Sequence, residues 1–184
     1  MSVSSTMLPL GTPAPDFKLR DTVSGELMSL SDFDDTVALL VMFICNHCPY
    51  VQHIRHGLAE LGRDYANADV AIVAISSNDP VAYPSDGPEA MATEAAEIGY
   101  TFPYLFDETQ DTARAYTAAC TPDFFLFGAD RKLVYRGQFD STRPGQLEKV
   151  TGADVRAALD VLIAGETVST DQSPSVGCSI KWSD

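Results

Sequence analysis

The stretch VALLVMFICNHCP, residues 37–49, decides the fold. Residues 37–44 are apolar without interruption, bounded by polar sequence and too short for a buried helix, so they read as a β-strand covered on both faces. From Pro49 the period changes. Val51, Ile54, Leu58, Leu61 and Tyr65 recur at spacings of three and four, the pattern of one helical stripe facing a sheet. A buried strand therefore runs into an amphipathic helix, with Cys45-Asn46-His47-Cys48 at the junction.

Working outward, residues 70–75 read as a second buried strand and 88–98 as a helix around Met91, Ala95 and Ile98. Residues 102–106 read as extended and 110–119 as a short Ala-rich helix. Residues 124–127 and 133–135 are strands joined by a turn at Gly128-Ala129-Asp130. A last helix covers about 153–164, opened by a Thr151-x-x-Asp154 cap and striped by Val155, Leu159, Leu162 and Ile163. Upstream, Pro13-Ala14-Pro15 imposes extended backbone before an edge strand at 16–19. Ser24-Gly25-Glu26 then turns the chain into a partner strand at 27–30. Strands alternating with helices call for right-handed crossovers. The expected class is α/β: a central mixed β-sheet flanked by helices, with an N-terminal β-hairpin extension. One domain spans 1–184, and 165–184 form a C-terminal tail.

The chain has 184 residues, 45% of them hydrophobic, enough to bury roughly 70% of the unfolded surface without disulfide staples. Its 26 acidic and 12 basic side chains give a net charge of −14, which opposes binding to nucleic acid or an anionic membrane surface. Residues 76–120 hold eight carboxylates against Arg114 alone, reading as a solvated face or as an acidic rim that selects a basic partner. Neither a signal peptide nor a membrane-spanning run is seen, so a cytoplasmic location is expected. In a reducing compartment, the cysteines at 45, 48, 120 and 178 point to catalysis or metal binding before structural disulfides.

Physical chemistry gives the C-x-x-C its meaning. A helix N-terminus stabilises an anion, so a cysteine placed there is more thiolate than a free one. Two intervening residues let both sulfurs meet in one turn and close a disulfide. His47 beside Cys48 would stabilise a thiolate and make the disulfide a stronger oxidant. A zinc site built from Cys45, Cys48, His53 and His56 is disfavoured, because both histidines follow on the helix whose start holds the cysteines. No metal and no organic cofactor is expected, and nucleotide-binding, zincin and serine-hydrolase motifs are absent.

Three segments carry a resemblance: Gly11-Thr-Pro-Ala-Pro-Asp-Phe17, Cys45-Asn-His-Cys-Pro49 and Cys120-Thr-Pro-Asp-Phe-Phe125. Over about residues 8–164 the chain resembles thioredoxin-fold redoxins, in particular the peroxiredoxin-like group of the alkyl hydroperoxide reductase and thiol-specific antioxidant family. The resemblance implies a cis Pro122 opposite the C-x-x-C, with the backbone at Thr121 free to pair with an extended peptide or thiol substrate. It also implies that Cys120 lies near the pair, as a third thiol or as a small buried hydrophobe. Cys178, in Gly177-Cys-Ser-Ile-Lys-Trp182, resembles the ending of this group and is either a resolving thiol or part of a packed tail. The departures are specific. Cys48 stands at the peroxidatic position with Cys45 where a threonine is usual, and no arginine stands near Thr121-Pro122. Leu39 and Ile44 replace the thioredoxin aspartate and tryptophan.

The expected activity is thiol–disulfide oxidoreduction with antioxidant character, cycling Cys45 and Cys48 between dithiol and disulfide. Either sulfur can attack first: Cys45 in the manner of thioredoxin, Cys48 in the manner of a peroxiredoxin. Electrons would come from a dithiol protein or low-molecular-weight thiol, and the substrate would be a peroxide or a disulfide. The competing reading is a redox-sensing or soft-metal-binding module without turnover.

Overall fold

The computed structural model describes residues 2–183. In chain order its strands and helices are β1 (Ser2–Ser4), β2 (Lys18–Asp21), β3 (Leu27–Ser29), β4 (Ala38–Phe43), α1 (Pro49–Asp64), β5 (Val70–Ser76) and α2 (Pro88–Ile98). There follow β6 (Tyr104–Phe106), α3 (Asp111–Ala115), β7 (Cys120–Thr121), β8 (Asp123–Gly128), β9 (Leu133–Gly137), α4 (Ala153–Ile163) and β10 (Val176–Ser179). Seven strands form one mixed sheet in the order β3-β2-β6-β5-β4-β8-β9. Among the described residues no helix is long and apolar enough to cross a membrane.

The uninterrupted apolar run becomes β4, at the centre of that sheet, parallel to β5 and antiparallel to β8. Its alternate residues serve two cores. Leu40 and Met42 pack with Val51, Ile54, Leu58 and Leu61 of α1, while Leu39, Val41 and Phe43 pack with Tyr116, Phe125 and Phe127 on the other face. Tyr116 meets Phe43, Phe125 and Phe127 in tilted and edge-to-face contacts at 5.4–6.0 Å. The register Phe43↔Asp123 brings the exit of β4 beside the entry of β8, so Cys45 emerges next to Thr121-Pro122. The β2–β3 hairpin forms as expected.

Two expectations change, and the tail gains a definite place. The Thr151-x-x-Asp154 cap does not form, since Gly152 in the left-handed region is the N-cap of α4. Asp140 takes the amides of Thr151 and Gly152 at 2.8 Å each, and Asp154 receives Gln138 instead. A Cβ at Gly152 would meet the Phe139 ring at 2.5 Å, so packing on that ring decides the backbone there. The helix expected over 110–119 ends at Ala115, because Thr117 adopts a positive φ and redirects the chain into β7. Finally, the tail is structured: β10 is the middle strand of a second sheet, β1-β10-β7.

Of the eight carboxylates in 76–120, Asp86 and Asp107 are buried and leave the acidic face. Asp107 receives Ser77 Oγ at 2.8 Å and the Ala113 amide at 2.9 Å, tying β5 to α3.

Candidate active site

Helix α1 begins at Pro49, so Cys48 is its N-cap and Cys45 lies before it, in the loop leaving β4. The sulfurs do not share a helical turn, yet both converge on one residue. Both face Thr121, which precedes the cis Thr121–Pro122 bond. Cys45 Sγ lies 3.2 Å from Thr121 Oγ1, and Cys48 as a thiol donates to Thr121 O at 3.1 Å. All four cysteines are free thiols.

The two sulfurs are not equivalent. Cys48 is pulled well below the ordinary thiol range, chiefly by the neighbouring Cys45 thiol, with smaller contributions from Cys178 and the Val51 amide, and burial opposes this. Cys45 is pushed far up, first by Cys48, then by burial, then by the Asp86 carboxylate. These directions, with Cys48 at the helix start, favour the thiolate on Cys48 over Cys45. Neither sulfur is open to solvent, Cys45 being 1% and Cys48 0% exposed.

A residue that sequence reasoning passed over organises the loop. Asp86, fully buried at the end of a 3-10 turn (Pro84–Asp86), accepts the amides of Asn46 at 2.8 Å and His47 at 3.1 Å, and Asn78 Nδ2 at 2.8 Å. It also pairs with His47 Nδ1. Against a carboxylate acceptor Nδ1 is the donor. The imidazole stacks on Tyr83 at 4.7 Å, so its orientation is set from two sides. Asn46 is held in turn by Ser85 O and by the Tyr104 hydroxyl. In the sequence Asp86 is one carboxylate in an acidic run, and nothing local marks it.

Cys45 Sγ, His47 Nδ1 and the Asp86 carboxylate lie within 4.8 Å of one another and are the residues that could hold a metal ion. His47 Nδ1 and Asp86 already pair with each other, and Cys45 with Thr121. His53 and His56 do not join them, since His53 bonds Thr142 Oγ1 at 3.0 Å and His56 is exposed.

Cys120 is fully buried. In the β7–β10 ladder Thr121 is opposite Cys178 and Cys120 opposite Ser179. Because directly opposed residues share a face, Cys178 joins Thr121 on the side of the pair while Cys120 turns to the other side. Its Sγ donates to Pro122 O at 3.5 Å, and burial pushes its thiol far up. The backbone at Thr121 is not free either, because β10 of the same chain already occupies that edge. No arginine among the described residues hydrogen-bonds Cys45 or Cys48.

The sequence pattern of the AhpC/TSA family matches residues 10–136. No curated protein matches. Among solved structures, an uncharacterized conserved protein from Geobacillus kaustophilus is 52% identical with TM-score 0.97, covering 100% of this chain and 97% of that one. The thioredoxin domain of a thiol-disulfide oxidoreductase from Bacteroides vulgatus is 18% identical with TM-score 0.62, covering 81% and 96%. Peroxidoxin BcpB from Mycobacterium tuberculosis is 19% identical with TM-score 0.62, covering 84% and 96%. The last two share the fold alone. The chain belongs to the AhpC/TSA family, built on a thioredoxin-like fold consistent with thiol–disulfide chemistry.

Proposed function

We propose that the protein is a thiol–disulfide oxidoreductase of peroxiredoxin-like character that cycles Cys45 and Cys48 between dithiol and disulfide. The observation that carries this is the convergence of the two buried sulfurs on Thr121 at the start of α1, with Cys45 Sγ 3.2 Å from Thr121 Oγ1 and Cys48 Sγ 3.1 Å from Thr121 O. Cys48 is the attacking thiolate. With a peroxide it takes one oxygen to become a sulfenic acid and releases an alcohol or water. The Cys45 thiol then condenses with it, forming the S–S bond and releasing water. With a disulfide substrate, Cys48 forms a mixed disulfide that Cys45 resolves. His47 and Asp86 position the loop and its charge, and a dithiol protein or low-molecular-weight thiol returns two electrons.

Peroxide-dependent and insulin-disulfide-dependent consumption of dithiothreitol is measured for wild type, Cys45→Ser and Cys48→Ser, with a sulfenic-acid probe on each variant. Turnover lost in both variants, with probe labelling of Cys48 in Cys45→Ser, is the expected result. Stoichiometric oxidation without turnover sinks the enzyme reading. The second reading, a soft-metal or sensor module, draws on the convergence of Cys45, His47 and Asp86 within 4.8 Å.

A further inference from the structure

The disulfide proposed above has an access problem. At 1% and 0% exposure, Cys45 and Cys48 offer no surface to a partner's thiol. An open depression of about 580 Å³ beside them is lined by Asn46, His47, Gln52, Arg55 and Glu94, and by neither sulfur. One cysteine near the pair is partly exposed. Cys178 on β10 stands opposite Thr121, on the face that carries Thr121 Oγ1 to Cys45. Its side chain packs against the buried cluster that contains both Cys45 and Cys48. The edge expected to receive a substrate strand is thus occupied by the chain's own strand, and that strand presents a cysteine to the thiolate. Gly177 makes this approach feasible, since a Cβ there would sit 2.0 Å from Thr121 O.

We propose that Cys178 is the exchange thiol through which the buried Cys45–Cys48 disulfide is reduced, by way of a Cys48–Cys178 disulfide. This rests on the dithiol cycle proposed above. Cys178 Sγ attacks Cys48 Sγ; the Cys45–Cys48 bond breaks, and the proton lost by Cys178 goes to Cys45, whose thiol holds it tightly. A donor dithiol then attacks Cys178 Sγ, the accessible end of the new bond, and expels Cys48 as thiolate. The second donor thiol closes the donor's own disulfide and releases Cys178 as a thiol. Two electrons pass from donor to protein; of the donor's two protons one restores the Cys178 thiol and the other goes to solvent, since Cys48 leaves as thiolate. Attack on the exposed sulfur with departure of the more acidic thiol is the kinetically favoured sense of exchange.

Two measurements test this. Cys45→Ser is oxidised with diamide and mapped by non-reducing peptide mass spectrometry; a Cys48–Cys178 disulfide is expected. Wild type, Cys178→Ser and Cys178→Ala are then oxidised with hydrogen peroxide, mapped, and re-reduced by reduced thioredoxin or by a small phosphine. All three are expected to hold Cys45–Cys48, with re-reduction by thioredoxin slowed at least about tenfold in both variants and re-reduction by phosphine slowed far less. Unchanged thioredoxin reduction in the variants, or no Cys48–Cys178 disulfide in Cys45→Ser, overturns the exchange role alone. Absence of Cys45–Cys48 from oxidised wild type overturns the dithiol cycle and the exchange role together.

Discussion

At the scale of residues, the site works by giving neighbouring groups opposite protonation. The thiolate is favoured on Cys48 chiefly by the neighbouring Cys45 thiol. In Cys45→Ala the ultraviolet thiolate titration of the reduced protein should therefore move toward the ordinary thiol range, whereas wild type should retain thiolate absorbance below neutral pH. His47 and Asp86 act with opposite sign. Replacing His47 by Ala removes a cation in its protonated form and should make the pair less oxidising against glutathione. Asp86→Asn removes the negative charge that opposes a Cys45 thiolate and should make it more oxidising, each by up to about tenfold in the equilibrium constant. A common direction for the two variants would contradict this arrangement. Asp123 is a different case. It is fully buried, neither carboxylate oxygen has a partner among the described residues, and burial pushes it up to about 7 despite the nearby Ser5 hydroxyl and the Ala119 and Phe124 amides. A carboxyl raised in the folded state favours folding below its unfolded value and loses that contribution as pH climbs toward 7. Asp123→Asn should raise stability at pH 8 by on the order of 2–4 kcal/mol in denaturant titrations, with the gain vanishing near pH 4.

At the scale of elements, β10 is both structural and chemical. Replacing Gly177 by Ala drives a Cβ into the Thr121 carbonyl and must lift β10 from β7. A loss of about 1–3 kcal/mol is expected, together with faster alkylation of Cys48 by iodoacetamide, read by mass spectrometry. Unchanged alkylation would show that β10 does not cover that sulfur. The strands and helices of the large sheet were legible because each declares itself locally: the apolar run of β4, the stripe of α1, the Gly-turned hairpin at 24–26. The second sheet was not. Ser2–Ser4, Cys120–Thr121 and Val176–Ser179 are too short to show a period, and each exists only through distant partners. The same holds for the site. Cys45, His47 and Cys48 are visible as a motif and Cys178 through its resemblance to the family's ending, while Asp86 reaches the site through tertiary packing that no local pattern announces. The failed cap at Thr151 follows from Asp140 and the Phe139 ring, both set by the fold around them.

At the scale of the whole molecule, a net charge of −14 leaves the folded state under self-repulsion that salt relieves. Calorimetric Tm should rise by a few degrees between low and physiological ionic strength; a fall would mean that surface ion pairs such as Arg156–Asp64, at 2.7 Å, dominate instead. The β1-β10-β7 sheet has a consequence for how the protein comes into being. The ribosome makes the pair at 45 and 48 early, and the strand that covers it only after the other nine strands have been made. A nascent chain therefore carries both cysteines uncovered for most of its synthesis, and covers them as one of its last folding events.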